Sequence, residues 1–297
     1  MKIMNATREY DVHICYDITL ACNNRCEYCY CLDDLDNKKK WNEETFQLFK
    51  QELAKLTDYR VRVSLVGGEP LVIHDKLHRV KELPISSLQI ISNLNFPERN
   101  FEKILTNVVD VNPNLLAVSW HPSSKLDDVR RNILKAKEAG LNVVISYLLD
   151  QDNLDEIWEE AHWALNNEIW FVVDIIHTNG EDRFKDKRNA KYVKLLHLSQ
   201  RLPVDLQIID PLTVTIDESI YDQVDMMLLD MKDISKRYYT QCKHTALDVH
   251  YDGSYDVQCS HPYSGHLKDG LEIRSVFCDN HTCDKNVTTY KRLLRRK

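Results

Sequence analysis

The stretch ICYDITLACNNRCEYC, residues 14–29, runs a β-rich segment, Ile14 to Thr19, straight into three cysteines spaced Cys22-x3-Cys26-x2-Cys29. A loop that gathers three thiolates within eight residues after a strand can hold three corners of an iron–sulfur cube and leave the fourth iron without a protein ligand. The same spacing suits a zinc knuckle, which wants four closed ligands, and Cys15 or Cys31 could supply the fourth.

Outward from this loop the cysteines are unevenly placed. Four more, Cys242, Cys259, Cys278 and Cys283, lie near the other end of the chain, and none falls in the 210 residues between Cys31 and Cys242. Cysteines used only for core packing would be scattered, so two local sites are expected. No apolar run approaches the ~18 residues of a membrane span, and the start MKIMNATREYDVH lacks the apolar core of a secretory signal. The expected location is therefore cytoplasmic, with no membrane partner. In that reducing setting clustered cysteines point to metal binding or catalysis rather than to disulfides.

Composition narrows the class further. A chain of 297 residues with 43% hydrophobic and 29% charged residues is ordinary for a globular enzyme and excludes disorder as the main state. Its length corresponds to about two domains, or one barrel-sized domain with an appendage. A net charge of −7 repels a phosphate backbone and disfavours a nucleic-acid partner.

Between residues 12 and 209, β-rich runs alternate with segments of helical period. The runs are Ile14 to Thr19, Val61 to Val66, Leu88 to Ser92, Leu115 to Trp120, Leu141 to Leu149, Ile169 to Ile176 and a weaker one at Val204 to Ile209. Phe46, Phe49, Leu53 and Leu56 follow a helical spacing behind an N-cap at Asn42; Leu126, Val129, Ile133 and Ala136 do so between a Ser124/Asp127 capping pattern and Gly140. Leu154, Ile157, Ala161 and Leu165 mark a third helix. Strictly alternating units of this kind predict a parallel sheet whose functional residues sit at the C-terminal ends of the strands. The six clear units are two short of a closed barrel. A helical stretch is expected near residues 217–233, and Ala246 to Val257 reads as a hairpin turning at Asp252-Gly253.

Only seven glycines occur, about 2% against an average of about 7%, and two of them, Gly67 and Gly68, are adjacent at the end of the second run. That placement predicts a backbone brought close to something.

With these pieces in order, the chain resembles the radical S-adenosylmethionine (SAM) enzymes. CNNRCEYC, with the aromatic Tyr28 before its third cysteine, resembles their cluster loop. Gly67-Gly68-Glu69-Pro70 resembles their GGEP motif after strand two, Ile91-Ser92-Asn93 stands where they contact ribose, and Val118-Ser119 where they place a serine. The resemblance covers residues 12 to about 180. It implies an α/β partial (βα)6 TIM-like barrel, a [4Fe–4S] cluster on Cys22, Cys26 and Cys29, and an open iron for the amino nitrogen and carboxylate of SAM. By the same resemblance Gly67 and Gly68 approach the aminoacyl part, Glu69 balances its ammonium, Ser119 meets the carboxylate, Asn93 the ribose, and Tyr28 and the strand around Ile145 the adenine surroundings. An external one-electron reductant such as flavodoxin or ferredoxin is implied as well.

The second group, Cys242, Cys259, Cys278 and Cys283, resembles the small twitch or SPASM-like extension that holds an auxiliary [4Fe–4S] cluster. It departs from that pattern in having five residues between Gly253 and Cys259 and four between Cys278 and Cys283. A zinc ribbon is the alternative, and His244, His261 and His281 adjoin these cysteines. The expected domains are the barrel, residues 1–236, and a hairpin-containing auxiliary cluster domain, residues 237–297.

The expected activity is reductive cleavage of SAM to a 5′-deoxyadenosyl radical and hydrogen abstraction, for oxidative modification of a peptide or protein side chain. The alternatives are dehydrogenation of a small alcohol or amino-sugar, another small-molecule or nucleoside substrate, and a non-enzymatic iron–sulfur or zinc interaction protein. Only 21 residues precede Cys22, so a peptide substrate is expected to dock directly or through a separate recognition protein. Asp17, His121, Asp174 and His177, at or near strand ends, are further candidates without an assigned role.

Overall fold

The computed structural model describes residues 10–29, 32–122, 124–178, 181–186, 188–199, 213–216, 219–221, 238–243, 246–257, 263–273, 275–278 and 290–295. Six strands, β1 (Tyr10–Thr19), β2 (Tyr59–Gly67), β3 (Ser87–Ser92), β4 (Leu115–Trp120), β5 (Val143–Leu149) and β6 (Trp170–Ile175), pair in parallel in their sequence order. Between them run α1 (Glu43–Leu53), a 3₁₀ segment (Pro70–Glu82) kinked at Ile73, α2 (Glu98–Val111), α3 (Leu126–Glu138) and α4 (Leu154–Asn166). This is the α/β partial barrel built on a parallel sheet that the alternation of runs predicts.

The two faces of the sheet differ because β side chains alternate. Along β1, Val12, Ile14, Tyr16 and Ile18 are buried in one core with Phe46 and Phe49 of α1. The Tyr16 and Phe49 rings lie 4.4 Å apart. Each such side chain taken from water contributes about 1.5–3 kcal/mol. The intervening residues, His13, Cys15 and Asp17, face the other way and join polar positions of the neighbouring strands. His13 Nε2 lies 2.8 Å from Ser64 Oγ, which donates to Gln89 Oε1 at 2.7 Å.

Local signals hold in part. Asn42 caps α1, its side chain accepting from the Thr45 amide, and Gly140 ends α3 at φ +87°. The Ser124 cap is not formed: α3 starts at Leu126 behind Lys125 with no side-chain cap, and Ser124 Oγ is buried without a partner. The sheet strand expected from Leu141 begins at Val143, since Leu141 closes the α3 terminus by donating to Ala136 O. The 3₁₀ segment and α2 carry no start signal that the sequence reading used: one is capped by Glu69 and the other follows Pro97 without a side-chain cap.

Beyond β6 lie β7 (His177–Thr178) and β8 (Glu181–Asp182), α5 (Ala190–Ser199), β9 (Thr213–Ile216), β10 (Ser219–Tyr221), β11 (Tyr238–Lys243), β12 (Ala246–Val249), β13 (Ser254–Val257), β14 (Tyr263–His266), β15 (Ser275–Cys278) and β16 (Tyr290–Arg295). Residues 219–221 are strand where a helix is expected; the remainder of that stretch, 217–218 and 222–233, and the run Val204 to Ile209 lie outside the described residues. The β12–β13 hairpin forms as read, turning at Gly253 with φ +92°. Its first strand pairs in parallel with β1, so the sheet order is β14-β13-β12-β1-β2-β3-β4-β5-β6 and continues across the 236/237 division. A second sheet has the order β10-β9-β16-β11-β15. No described helix is long and apolar enough to cross a membrane.

Candidate functional site

The cysteine loop leaves β1 through an irregularity in the ladder. Asp17 pairs with Val66, but Thr19 pairs with Gly67, so one residue bulges and re-aims the chain over the strand ends. Two glycines hold it there. A Cβ on Gly67 would lie 2.3 Å from Thr19 O, and one on Gly68 2.2 Å from Ala21 O. With no side chain in the way, the Gly68 amide donates to Thr19 O and the Glu69 amide to Ala21 O, each at 2.8 Å. The close approach that the Gly-Gly pair predicts is therefore made by the chain's own backbone, immediately before Cys22.

Glu69 is 1% exposed. Its Oε1 accepts from Leu71 N at 2.9 Å and Ser92 Oγ at 2.8 Å, and its Oε2 from Asn93 N at 2.7 Å. Burial pushes the carboxyl up to about 7, with those three donors working in the opposite direction. This acid ties the ends of β2 and β3 together.

Asparagines clasp the loop to the end of β3. Asn93 Nδ2 donates to Asn23 Oδ1 at 2.9 Å, Asn23 Nδ2 to Asn95 O at 2.8 Å, and Asn95 Nδ2 to Asn24 Oδ1 at 2.9 Å. The turn carrying Asn93 and Asn95 passes through Leu94 at φ +47°, a costly conformation for leucine. Buried Asn132 of α3 holds it by donating to Leu94 O and Phe96 O. On the far side, Arg183 pairs with Glu27 at 3.1 Å and Asp150 at 3.0 Å.

None of the three cysteines is in a disulfide, and the Cys22 thiol is pushed up to about 11, first by burial; Cys26 and Cys29 add to the rise. The Cys22 thiol thus feels the charge of its neighbours. A bound positive group would reverse that effect and favour the thiolates. Three thiolates in one loop at the C-terminal strand ends fit a cubane that keeps one iron open. Among the described residues no three His, Cys, Asp or Glu side chains converge on a single-ion site.

The remaining sequence-derived positions divide. Ser119 is half-buried and pairs in register with Ser146, whose hydroxyl donates to Asp174. Tyr28 lies against His121. The Ile145 side chain is fully buried in the helix-side core, while its neighbours Val144 and Ser146 take the other face of the strand. Asp17 finds a partner that the sequence reading lacked, His250 of the hairpin, with Nδ1 3.1 Å from its Oδ2. In the sequence the clasp of Asn23, Asn24 and Asn95 is marked by the doublet in CNNRC with the Asn-x-Asn at 93–95, whereas Arg183 and His250 carry no local signal. Cys259, Cys283, Cys31, His244, His261 and His281 lie outside the described residues.

A partial parallel barrel carrying a three-thiol loop over a Gly-Gly-Glu edge defines a class, and comparison with known proteins agrees. The family model described as "Radical SAM superfamily" matches residues 16–164, half of the chain, and the chain belongs to that superfamily. Membership implies a [4Fe–4S] cluster and SAM. Similar solved structures include Streptococcus suis SuiB bound to S-adenosylmethionine, 16% identical over 83% of this chain and 60% of that one, with a TM-score of 0.54. SuiB bound to its precursor peptide SuiA is 17% identical over 83% and 59%, TM-score 0.55. AnSMEcpe with AdoMet and the Cp18Cys peptide is 12% identical over 82% and 73%, TM-score 0.52. The chain spans about three fifths of the length of the SuiB structures. Comparison with curated proteins finds no match.

Proposed function

We propose that the protein cleaves SAM reductively to a 5′-deoxyadenosyl radical and abstracts hydrogen from a peptide or protein side chain, with net oxidation of that residue. The observation that carries the reading is the seating of Cys22, Cys26 and Cys29 on the Gly67–Glu69 edge at the C-terminal ends of parallel strands. The cluster supplies the electron for SAM cleavage. The chain's own residues hold it: the glycines admit the loop, Glu69 and the asparagines fix its height above β2 and β3, and Ser119 and Tyr28 flank the space for SAM. Gly67, Gly68, Glu69, Asn93 and Ser119 are proposed as the SAM surround, the first four acting largely through the shape they impose on the loop.

Peptide as substrate class is supported by the similar folds of SuiB and anSMEcpe, each solved with a bound peptide. Residues 237–297 are proposed as the twitch-like unit in which Cys242, Cys259, Cys278 and Cys283 hold a second cluster. Cys242 pairs with Val276 and Cys278 with Thr240, two register positions apart on adjacent strands, a separation of about 7–8 Å between backbones.

The test is anaerobic reconstitution with SAM, flavodoxin as reductant and a library of peptides, followed by mass spectrometry. Wild type is expected to release 5′-deoxyadenosine and Cys26→Ala to release none. A chain that binds zinc but no iron and sulfide under these conditions would end the reading.

A further inference from the structure

The aromatic residue of the cysteine loop is bound to a ligand thiol on one side and to the end of β4 on the other. The Tyr28 hydroxyl lies 2.9 Å from His121 Nδ1, and that nitrogen lies 3.6 Å from Cys26 Sγ. The Tyr28 side chain also interacts with that of Cys26. The Tyr28 and His121 rings are near-parallel, 18° between planes with centroids 5.9 Å apart, and the Arg183 guanidinium lies 5.8 Å from the Tyr28 centroid. The hydroxyl is thereby held in place, since the ring that carries it is packed by a stacked imidazole and a cation. Of the three loop cysteines, Cys26 is the buried one, 9% exposed, whereas Cys22 and Cys29 are half-buried.

We propose that His121 and Tyr28 form a hydrogen-bond relay onto the Cys26 sulfur that sets the reduction potential of the cluster held by this loop. The inference rests on the reading of Cys22, Cys26 and Cys29 as cluster ligands. Both residues are positioning residues, acting through Cys26. With a thiolate as the final acceptor, the network assigns the protons: the imidazole Nδ1–H donates to the Tyr28 oxygen, and the Tyr28 O–H donates to sulfur. Donation to a thiolate draws negative charge from the cluster. The reduced state is the more negative one, so the relay stabilises it and raises the potential. The effect is concentrated at Cys26 because a hydrogen bond is electrostatically stronger where water is excluded.

Redox titration of the reconstituted full chain, followed by electron paramagnetic resonance without SAM, tests this. Tyr28→Phe keeps the ring and its packing and removes the one hydroxyl, so its midpoint is expected to move to a more negative potential than that of wild type. His121→Phe is expected to move it in the same direction by less, and His121→Gln, which keeps an N–H donor, to recover part of that shift. Coincident midpoints for wild type and Tyr28→Phe, with the wild-type cluster intact, overturn the relay and leave the cluster reading standing. A wild type without iron and sulfide removes both together. Should His121→Phe fail to fold, the isosteric Tyr28→Phe still decides.

Discussion

Glu69 has an ionisable group with three donors aimed at it and almost no contact with solvent. Removing it would strand Leu71 N, Asn93 N and the Ser92 hydroxyl in a buried position, where each unsatisfied group costs about 1–3 kcal/mol before relaxation. Glu69→Ala is therefore expected to destabilise the chain by roughly 3 kcal/mol, read as a lower urea midpoint, in addition to any loss of SAM affinity. An unchanged midpoint with weakened SAM binding would return Glu69 to a ligand contact alone, which is what the motif by itself suggests. The quartet Gly67 to Pro70 was legible in the sequence as a site, but its partners were not. The atoms that forbid a Cβ at Gly67 and Gly68 belong to Thr19 and Ala21, 48 and 47 positions away. Around Ile145 the sequence leaves the facing side chain open, since a one-residue step along a strand exchanges the helix-side core for the polar face.

At the scale of elements, the β12–β13 hairpin is attached to the barrel by backbone pairing with β1 and by an imidazole between two carboxylates. His250 Nδ1 lies 3.1 Å from Asp17 and Nε2 2.7 Å from Asp256. The hydrogen bond to Asp17 is the largest cause raising the His250 value from 6.5 to about 9, burial acts against it, and Asp256 adds to the rise. A base whose folded value exceeds its free value favours the fold while protonated. Its contribution is complete below about pH 6.5 and disappears as pH rises through about 9. Wild type is thus expected to exceed His250→Gln in stability at about pH 6, and the two to converge above about pH 10. A pH-independent difference between their melting temperatures would show that packing, not charge, joins the hairpin to β1. The hairpin was readable from alternation and the Asp252-Gly253 turn; its place beside β1 was not, because parallel pairing leaves no mark at the turn. Likewise α2 and the 3₁₀ segment escaped a reading based on capping residues, since their starts are set by Pro97 and by the side chain of Glu69.

Across the whole molecule, the described cysteines of the two groups stand on different sheets, and the two steps proposed for them are separable. Cys22, Cys26 and Cys29 stand at the strand ends of the parallel sheet, whereas Cys242 and Cys278 belong to strands β11 and β15 of the second sheet. If the first group starts the radical and the second takes up the electron left on the substrate, the two steps can be separated by mutation. Replacing Cys242, Cys259, Cys278 and Cys283 with alanine leaves the backbone ladder between β11 and β15 able to form, because its hydrogen bonds need no side chain. Iron is expected to fall from about eight to about four per chain, 5′-deoxyadenosine release to persist, and the oxidised product to be lost. Circular dichroism and SAM binding must match wild type before product is scored, since an unfolded second sheet could disturb β1 through the hairpin. A folded variant that still makes full product would assign these thiolates a structural role. The substrate radical would then have to regain a hydrogen rather than surrender an electron, and a redox-neutral reaction such as epimerisation would replace net oxidation.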